Sequence, residues 1–101
     1  MEIKVKHLKS FKEKGLGLMG KNPESVYFKT RFGIHTFFMK QTIDVVIMDK
    51  EKKVAFIKKG LKPNRIFLWN PKYYHVLEFP EKSANRLGIK KGIRLKITFT
   101  N

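Results

Sequence analysis

The sequence predicts a mainly β (α+β) fold: an antiparallel sheet, curled on itself or closed as a small barrel, carrying two short helices. Three observations predict it. Apolar runs of four to eight residues recur along the whole chain, several alternate with Lys at a period of two, and brief Gly, Pro or Asn punctuation separates them. At 101 residues the chain is expected to form one domain over 1–101.

In order, "EIKVK" sets Ile3 and Val5 against Lys4 and Lys6, the period of a half-exposed strand. Ser10 stands three residues before Glu13, the spacing of a capping box, so a short helix is expected from Ser10 and is stopped by Gly15, Gly17 and Gly20. "SVYFK" reads as the next strand. "IHTFFM" and "IDVVIM" then read as two strands of a tight hairpin turning through Lys40 to Thr42. Asp49 to Lys52 is a polar turn into "VAFIKKGL". A further strand is bracketed by Pro63 and the loop "WNPK", Trp69 to Lys72, and "HVLEF" follows. "EKSANRL" with Gly88 just beyond has the form of a two-turn helix with its stop, and "IRLKITFT" alternates again as the last strand.

Twenty-three Lys and Arg face eight Asp and Glu, a formal charge of +15. A charge of that size favours polyanionic partners, nucleic acid first, through counterion release. Nineteen of the 23 are Lys, whose point charge suits solubility as well as it suits phosphate; the planar fork of Arg is scarce. The chain has no Cys, which excludes disulfides, thiolate catalysis and thiolate metal sites. "MEIKVKHLK" has no apolar leader core, and nowhere do about 18 uncharged apolar residues run together, so a cytoplasmic protein without membrane insertion is expected.

No nucleophile elbow, paired carboxylates or Walker loop is present, and in "KGLGLMGK" the final Gly-Lys precedes Asn22-Pro23 where a phosphate loop needs Ser or Thr opening a helix. His7, His35 and His75 lack metal-ligand spacing, and His75, at a strand start, reads as a capping or surface residue. No catalytic residue, metal or cofactor is assigned, and the reading leans away from an enzyme. Two polar groups do interrupt the apolar block at 33–49: His35, read as half-buried, and Asp44. In a hairpin turning at Lys40 to Thr42 they fall on opposite faces, and a register one residue away, with Met39 opposing Asp44, sets them on one face but two pairs apart; either way they are separated as an acid-base pair, which casts Asp44 as an anchor accepting backbone N–H groups or pairing with a Lys or Arg. "FLWNPKYYH" interleaves Trp69, Tyr73 and Tyr74 with Lys72, just after Arg65, the mixture on which single-stranded nucleic acid stacks; an indole folded onto the core is the competing reading.

"GLMG" at 17–20, "IHTFFMKQTIDVVIMD" at 34–49 and "VLEFPEKSANRLGIKKG" at 76–92 together resemble the prokaryotic family called domain of unknown function 192. The middle block carries most of the likeness, through His35, Thr36, Phe37, Met39, Ile43 and Asp44. Two places depart from the family pattern: Gly92 is followed by Ile93 where Asp is common, and Lys40-Gln41-Thr42 replaces a basic residue with Phe-Pro. The resemblance implies a mainly β fold with small helices and no established reaction.

The leading functional expectation is a non-enzymatic binding domain, monomeric by default, with an unidentified small ligand held near His35, Thr36, Met39, Lys40 and Asp44. The alternative is a polyanion or single-strand binder using Arg65, Trp69, Lys72 and Tyr73. An enzyme acting through His35 and Asp44 comes third.

Overall fold

The computed structural model of the chain describes residues 1–8, 25–37 and 39–100. Its centre is the run Ile43–Met48, in which every residue is buried. A strand with no polar face must be covered on both sides, and these residues lie in the middle of a layered structure. Along the chain the strands are β1 (Glu2–His7), β2 (Val26–Lys29), β3 (Gly33–His35), β4 (Ile43–Met48), β5 (Val54–Leu61), β6 (Ile66–Leu68), β7 (His75–Pro80) and β8 (Lys96–Phe99), with helix α1 (Ser83–Leu87) between β7 and β8.

Six strands form one sheet in the order β5-β4-β7-β2-β1-β8, and β3 and β6 form a separate two-stranded ribbon. The ladders β4–β5, β4–β7 and β2–β7 are antiparallel, whereas β1 runs parallel to both β2 and β8. The expectation of a mainly β, mostly antiparallel curled sheet therefore holds in outline, with a parallel flank that alternation alone does not reveal. The sheet is not closed into a barrel. Its edges approach at one end only, where Val54 N–H donates to Ile93 O (2.8 Å) and Lys53 bridges Arg94.

Alternation along the strands divides the core in two. On one face Ile3, Val5, Tyr27, Val46, Met48, Leu77 and Phe79 pack with Ala84, Ile89 and Leu95. On the other, Val26, Phe28, Ile43, Val45, Ile47 and Val76 pack with Ile34 and Trp69, so the β3–β6 ribbon covers that side.

The predicted hairpin between "IHTFFM" and "IDVVIM" is corrected. β3 ends at His35 and pairs with β6, Gly33 facing Leu68 and His35 facing Ile66, while β4 lies in the other sheet between β5 and β7. Thr36 is the reason. Fully buried, its hydroxyl donates to Lys62 O (2.7 Å) and receives Arg65 N–H (2.8 Å), while its own N–H donates to Arg65 O (2.8 Å). This clasp fastens the chain to the 62–65 loop and closes the strand one residue after His35.

The predicted helix after Pro80 is present as one short α1, ended at Gly88 with φ of 72°, a left-handed conformation that glycine adopts without strain. The helix expected from Ser10 and the glycines at 15, 17 and 20 lie outside the described residues. Among the described residues no helix is long and apolar enough to cross a membrane.

Candidate functional site

The five residues proposed around the family block are not brought together. His35 is exposed on the ribbon, not half-buried, because its strand position faces outward beside Ile66 while Ile34 faces the core. Thr36 is occupied by the clasp, Met39 packs half-buried against the core face that the ribbon covers, and Lys40 is exposed. Asp44 lies on the opposite face of the large sheet, in line with Val46 and Met48.

Asp44 is buried and its two oxygens have separate tasks. The β4–β5 register slips between Ile43 and Val45, and the bulge leaves Gly60, with φ of 69°, outside the regular ladder. Asp44 Oδ1 accepts the Gly60 N–H (3.0 Å). Oδ2 accepts the N–H of Ala84 (3.0 Å), in the first turn of α1, a helix whose own N-cap residue, Lys82, supplies no side-chain bond. One carboxylate thus caps a bulge and a helix, the anchoring role its isolation in an apolar strand suggests.

The aromatic loop also differs from a stacking platform. Trp69 is only 9% exposed, leans on Phe67 with ring centroids 5.5 Å apart, and donates its indole N–H to Tyr73 O (2.8 Å). Tyr73 is half-buried with its ring edge-on to Phe56, Lys72 lies over that ring, and Arg65 is exposed. Trp69 being the single Trp, its emission is expected to be blue-shifted and weakly quenched by acrylamide in the folded protein, and to move to the red only on unfolding. Strong quenching in the native state would contradict the burial.

A different constellation is assembled across β7, β2, β1 and β8. In the β1–β2 ladder His7 faces Tyr27, and in the β2–β7 ladder Tyr27 faces Leu77, so His75 is its diagonal neighbour on the same face. Four rings follow one another over the sheet: His75 to Tyr27 (5.8 Å), Tyr27 to His7 (5.2 Å), and His7 stacked on Phe99 (4.7 Å). Above them opens a cavity of about 450 Å³ to which Lys29, Lys52 and Lys96 contribute.

The surface role predicted for His75 is corrected. It begins β7, but it is only 4% exposed, and its Nδ1 lies 2.5 Å from the Tyr27 hydroxyl. Burial, then the positive charges of Lys52 and Lys29, lower the imidazole pKa to about 4 against the opposing pull of Asp49. Burial, and after it Tyr74, pushes the Tyr27 phenol up to about 12. At neutral pH both the phenol and the imidazole are therefore uncharged, and the hydroxyl and Nδ1 share one short hydrogen bond. The arrangement combines a fixed neutral imidazole, a flat aromatic floor and two cations, Lys29 and Lys52, a set suited to holding an anion. Sequence reasoning set His7 and His75 aside because they are 68 positions apart; only the strand order joins them. Among the described residues no three His, Cys, Asp or Glu side chains cluster as metal ligands would.

Comparison with known proteins places the chain in a wider group. The family model for DUF192, "Uncharacterized ACR, COG1430", matches residues 1–97. The UPF0127 protein of Pyrococcus abyssi is 32% identical over 103 residues, covering 95% of this chain and 82% of the relative, and that of Pyrococcus horikoshii is 32% identical over 100 residues, covering 92% and 81%. A Novosphingobium aromaticivorans protein of unknown function has a similar fold, with a TM-score of 0.71 at 21% identity over 85% of this chain and 69% of that one. So does a Sinorhizobium meliloti chain described as a candidate transcription regulator, with a TM-score of 0.73 at 16% identity over 87% and 76%. At these identities the two structures speak to the fold alone.

Proposed function

The chain belongs to the DUF192 family, whose name carries no reaction, and we propose that it is a small cytoplasmic binding domain, non-enzymatic, that takes up an anionic small molecule in the ring-floored cavity of β7, β2, β1 and β8. The observation that carries this reading is the convergence of Lys29 and Lys52 on the buried Tyr27–His75 pair. Burial of polar rings beside positive charge is costly to keep unless negative charge offsets it, and pockets that combine apolar floors with a few placed polar groups are the usual small-ligand sites. A carboxylate or phosphate group entering from the mouth meets the Lys29 and Lys52 ammonium groups, while the planar part of its carrier lies on the rings of Tyr27 and His7.

The test is an anion screen. Orthophosphate, citrate and a panel of phosphorylated and carboxylated metabolites are added during thermal unfolding, with imidazole resonances followed by NMR. A binder is expected to raise Tm and to move the His75 and His7 signals, and Lys52→Ala should weaken it about ten-fold, the loss of one charge-assisted contact. If no anion at millimolar concentration moves either histidine, or if Lys52→Ala binds as tightly as the parent, the proposal fails.

A further inference from the structure

The outer face of the β3–β6 ribbon is apolar where a strand surface is normally polar. Phe32, Ile66 and Leu68 are 65%, 62% and 69% exposed, and Phe37 is 41% exposed. They surround a shallow cavity of about 310 Å³. Gly33, opposite Leu68, is among its lining: a Cβ there would lie 2.6 Å from Leu68 Cδ2 and from Phe67 O, so the close pairing of β3 with β6 requires glycine. The His35 and Phe37 rings stack at 4.9 Å along one side, and Arg31 is fixed at the other, donating to Pro71 O (2.8 Å) and lying over the Tyr74 ring (4.4 Å).

Charge selects the occupant. Residues 30–43 and 61–74, the ribbon and the segments flanking it, contain five Lys and Arg and no Asp or Glu. A second copy of this chain would bring the same positive field against itself, so self-association through this face is opposed. An anionic membrane would attract the field, yet Arg31 and His35 line the cavity together with the apolar side chains and would be carried toward the hydrocarbon with them, at a cost. A single nucleic-acid strand alternates phosphates with flat bases, and the exposed rings at the two ends of β3, Phe32 next to Arg31 and Phe37 next to Thr36, whose N–H bonds the backbone of Arg65, match that alternation.

We propose that this ribbon face is a single-strand nucleic-acid platform, Phe32 and Phe37 stacking on bases while Arg31 and Arg65 meet the flanking phosphates. The surface is separate from the anion cavity and does not depend on it. It also differs from the Trp69 loop, whose indole is turned inward beneath the ribbon.

The experiment is fluorescence anisotropy of a labelled oligothymidylate and oligouridylate of about twelve nucleotides, titrated with the full chain across a salt series. Affinity is expected to fall with salt at a log-log slope of about −0.7 per phosphate neutralised, and Arg31→Gln with Arg65→Gln should make the slope shallower. Phe32→Ser with Phe37→Ser should weaken binding about ten-fold or more at unchanged charge, while unchanged Trp69 emission reports that the ribbon still covers the core. Equal binding by the parent and the phenylalanine variant would mean charge attraction alone and overturn the proposal. Preference for phosphatidylglycerol vesicles over the oligonucleotides, or the absence of oligonucleotide binding at low salt, would overturn it as well.

Discussion

Replacing Asp44 by Ala lowers the unfolding free energy by about 2–4 kcal/mol, the cost of leaving two N–H groups without the charged acceptor they share. One of them, on Ala84, is buried in the first turn of α1; the other belongs to the Gly60 bulge. Loss of the Ala84 bond is the loss of a helix cap supplied from another strand, since Lys82 offers none. For a domain of this length such a change lowers Tm by on the order of 10–20 °C. Asp44→Asn separates shape from chemistry. It keeps the volume and one acceptor oxygen but turns an NH₂ toward one of the two donors, so it should lose most of what Ala loses. Urea unfolding of the three proteins measures this, and an Asn variant as stable as the parent would mean that only one of the two bonds carries weight. A stable Ala variant would contradict the anchoring role altogether.

Asp44 was legible as an anchor because a lone carboxylate in an otherwise apolar strand has few ways to be buried except by accepting hydrogen bonds. What it anchors was not legible, since Gly60 and Ala84 stand 16 and 40 residues away. The same division runs through the fold. Ile3 and Val5 in β1, the largely apolar, wholly buried β4 and the Gly88 stop of α1 are local patterns, and each appears where the local pattern places it. The hairpin between β3 and β4 failed because proximity in sequence is a weak guide when a buried strand needs two partners. β4 takes β5 and β7, and a single threonine, bonded through both its hydroxyl and its backbone to a distant loop, diverts β3 to β6. Trp69 was an even choice between core and surface, decided by a carbonyl four residues on.

The ring-floored cavity was invisible for a related reason. His7, Tyr27 and His75 are each unremarkable in their own strands, and the parallel pairing of β1 with β2, which no alternation signals, is what sets His7 beside Tyr27. Had the flank been antiparallel throughout, His7 would fall at another register and the ladder of rings would be broken. The exposed face of the ribbon was missed by the opposite route: Phe32, Ile66 and Leu68 are apolar, and apolar residues in short strands are read as core.

The cavity also imposes a pH dependence on stability. The His75 pKa is about 4 in the folded chain against an ordinary value of 6.5, so between those values the unfolded chain binds a proton that the folded chain does not. Stability is therefore fully present above pH 6.5, falls as pH drops toward 4, and takes no further loss from this group below that. The whole interval corresponds to about 3 kcal/mol, and solvent reaching the cavity mouth reduces the expected loss to about 2 kcal/mol. Lys29 comes to this imidazole from β2 and Lys52 and Asp49 from the β4–β5 turn, with Tyr27 bonded to Nδ1 and Tyr74 adjoining it. Asp49, held below its usual value by the backbone N–H groups of Lys53 and Glu51, releases its own contribution only at pH below the window. Urea unfolding at intervals from pH 7.5 to 4.5 is expected to show the decline in the parent and a shallower one in His75→Phe, which keeps a ring but cannot titrate. Parallel curves would remove His75 as the source. The same measurement bears on the ligand, because an anion beside Lys29 and Lys52 cancels part of the field that depresses the imidazole. With a bound anion the folded pKa rises toward 6.5, and the decline between pH 6.5 and 4 should shrink in the parent while staying unchanged in His75→Phe.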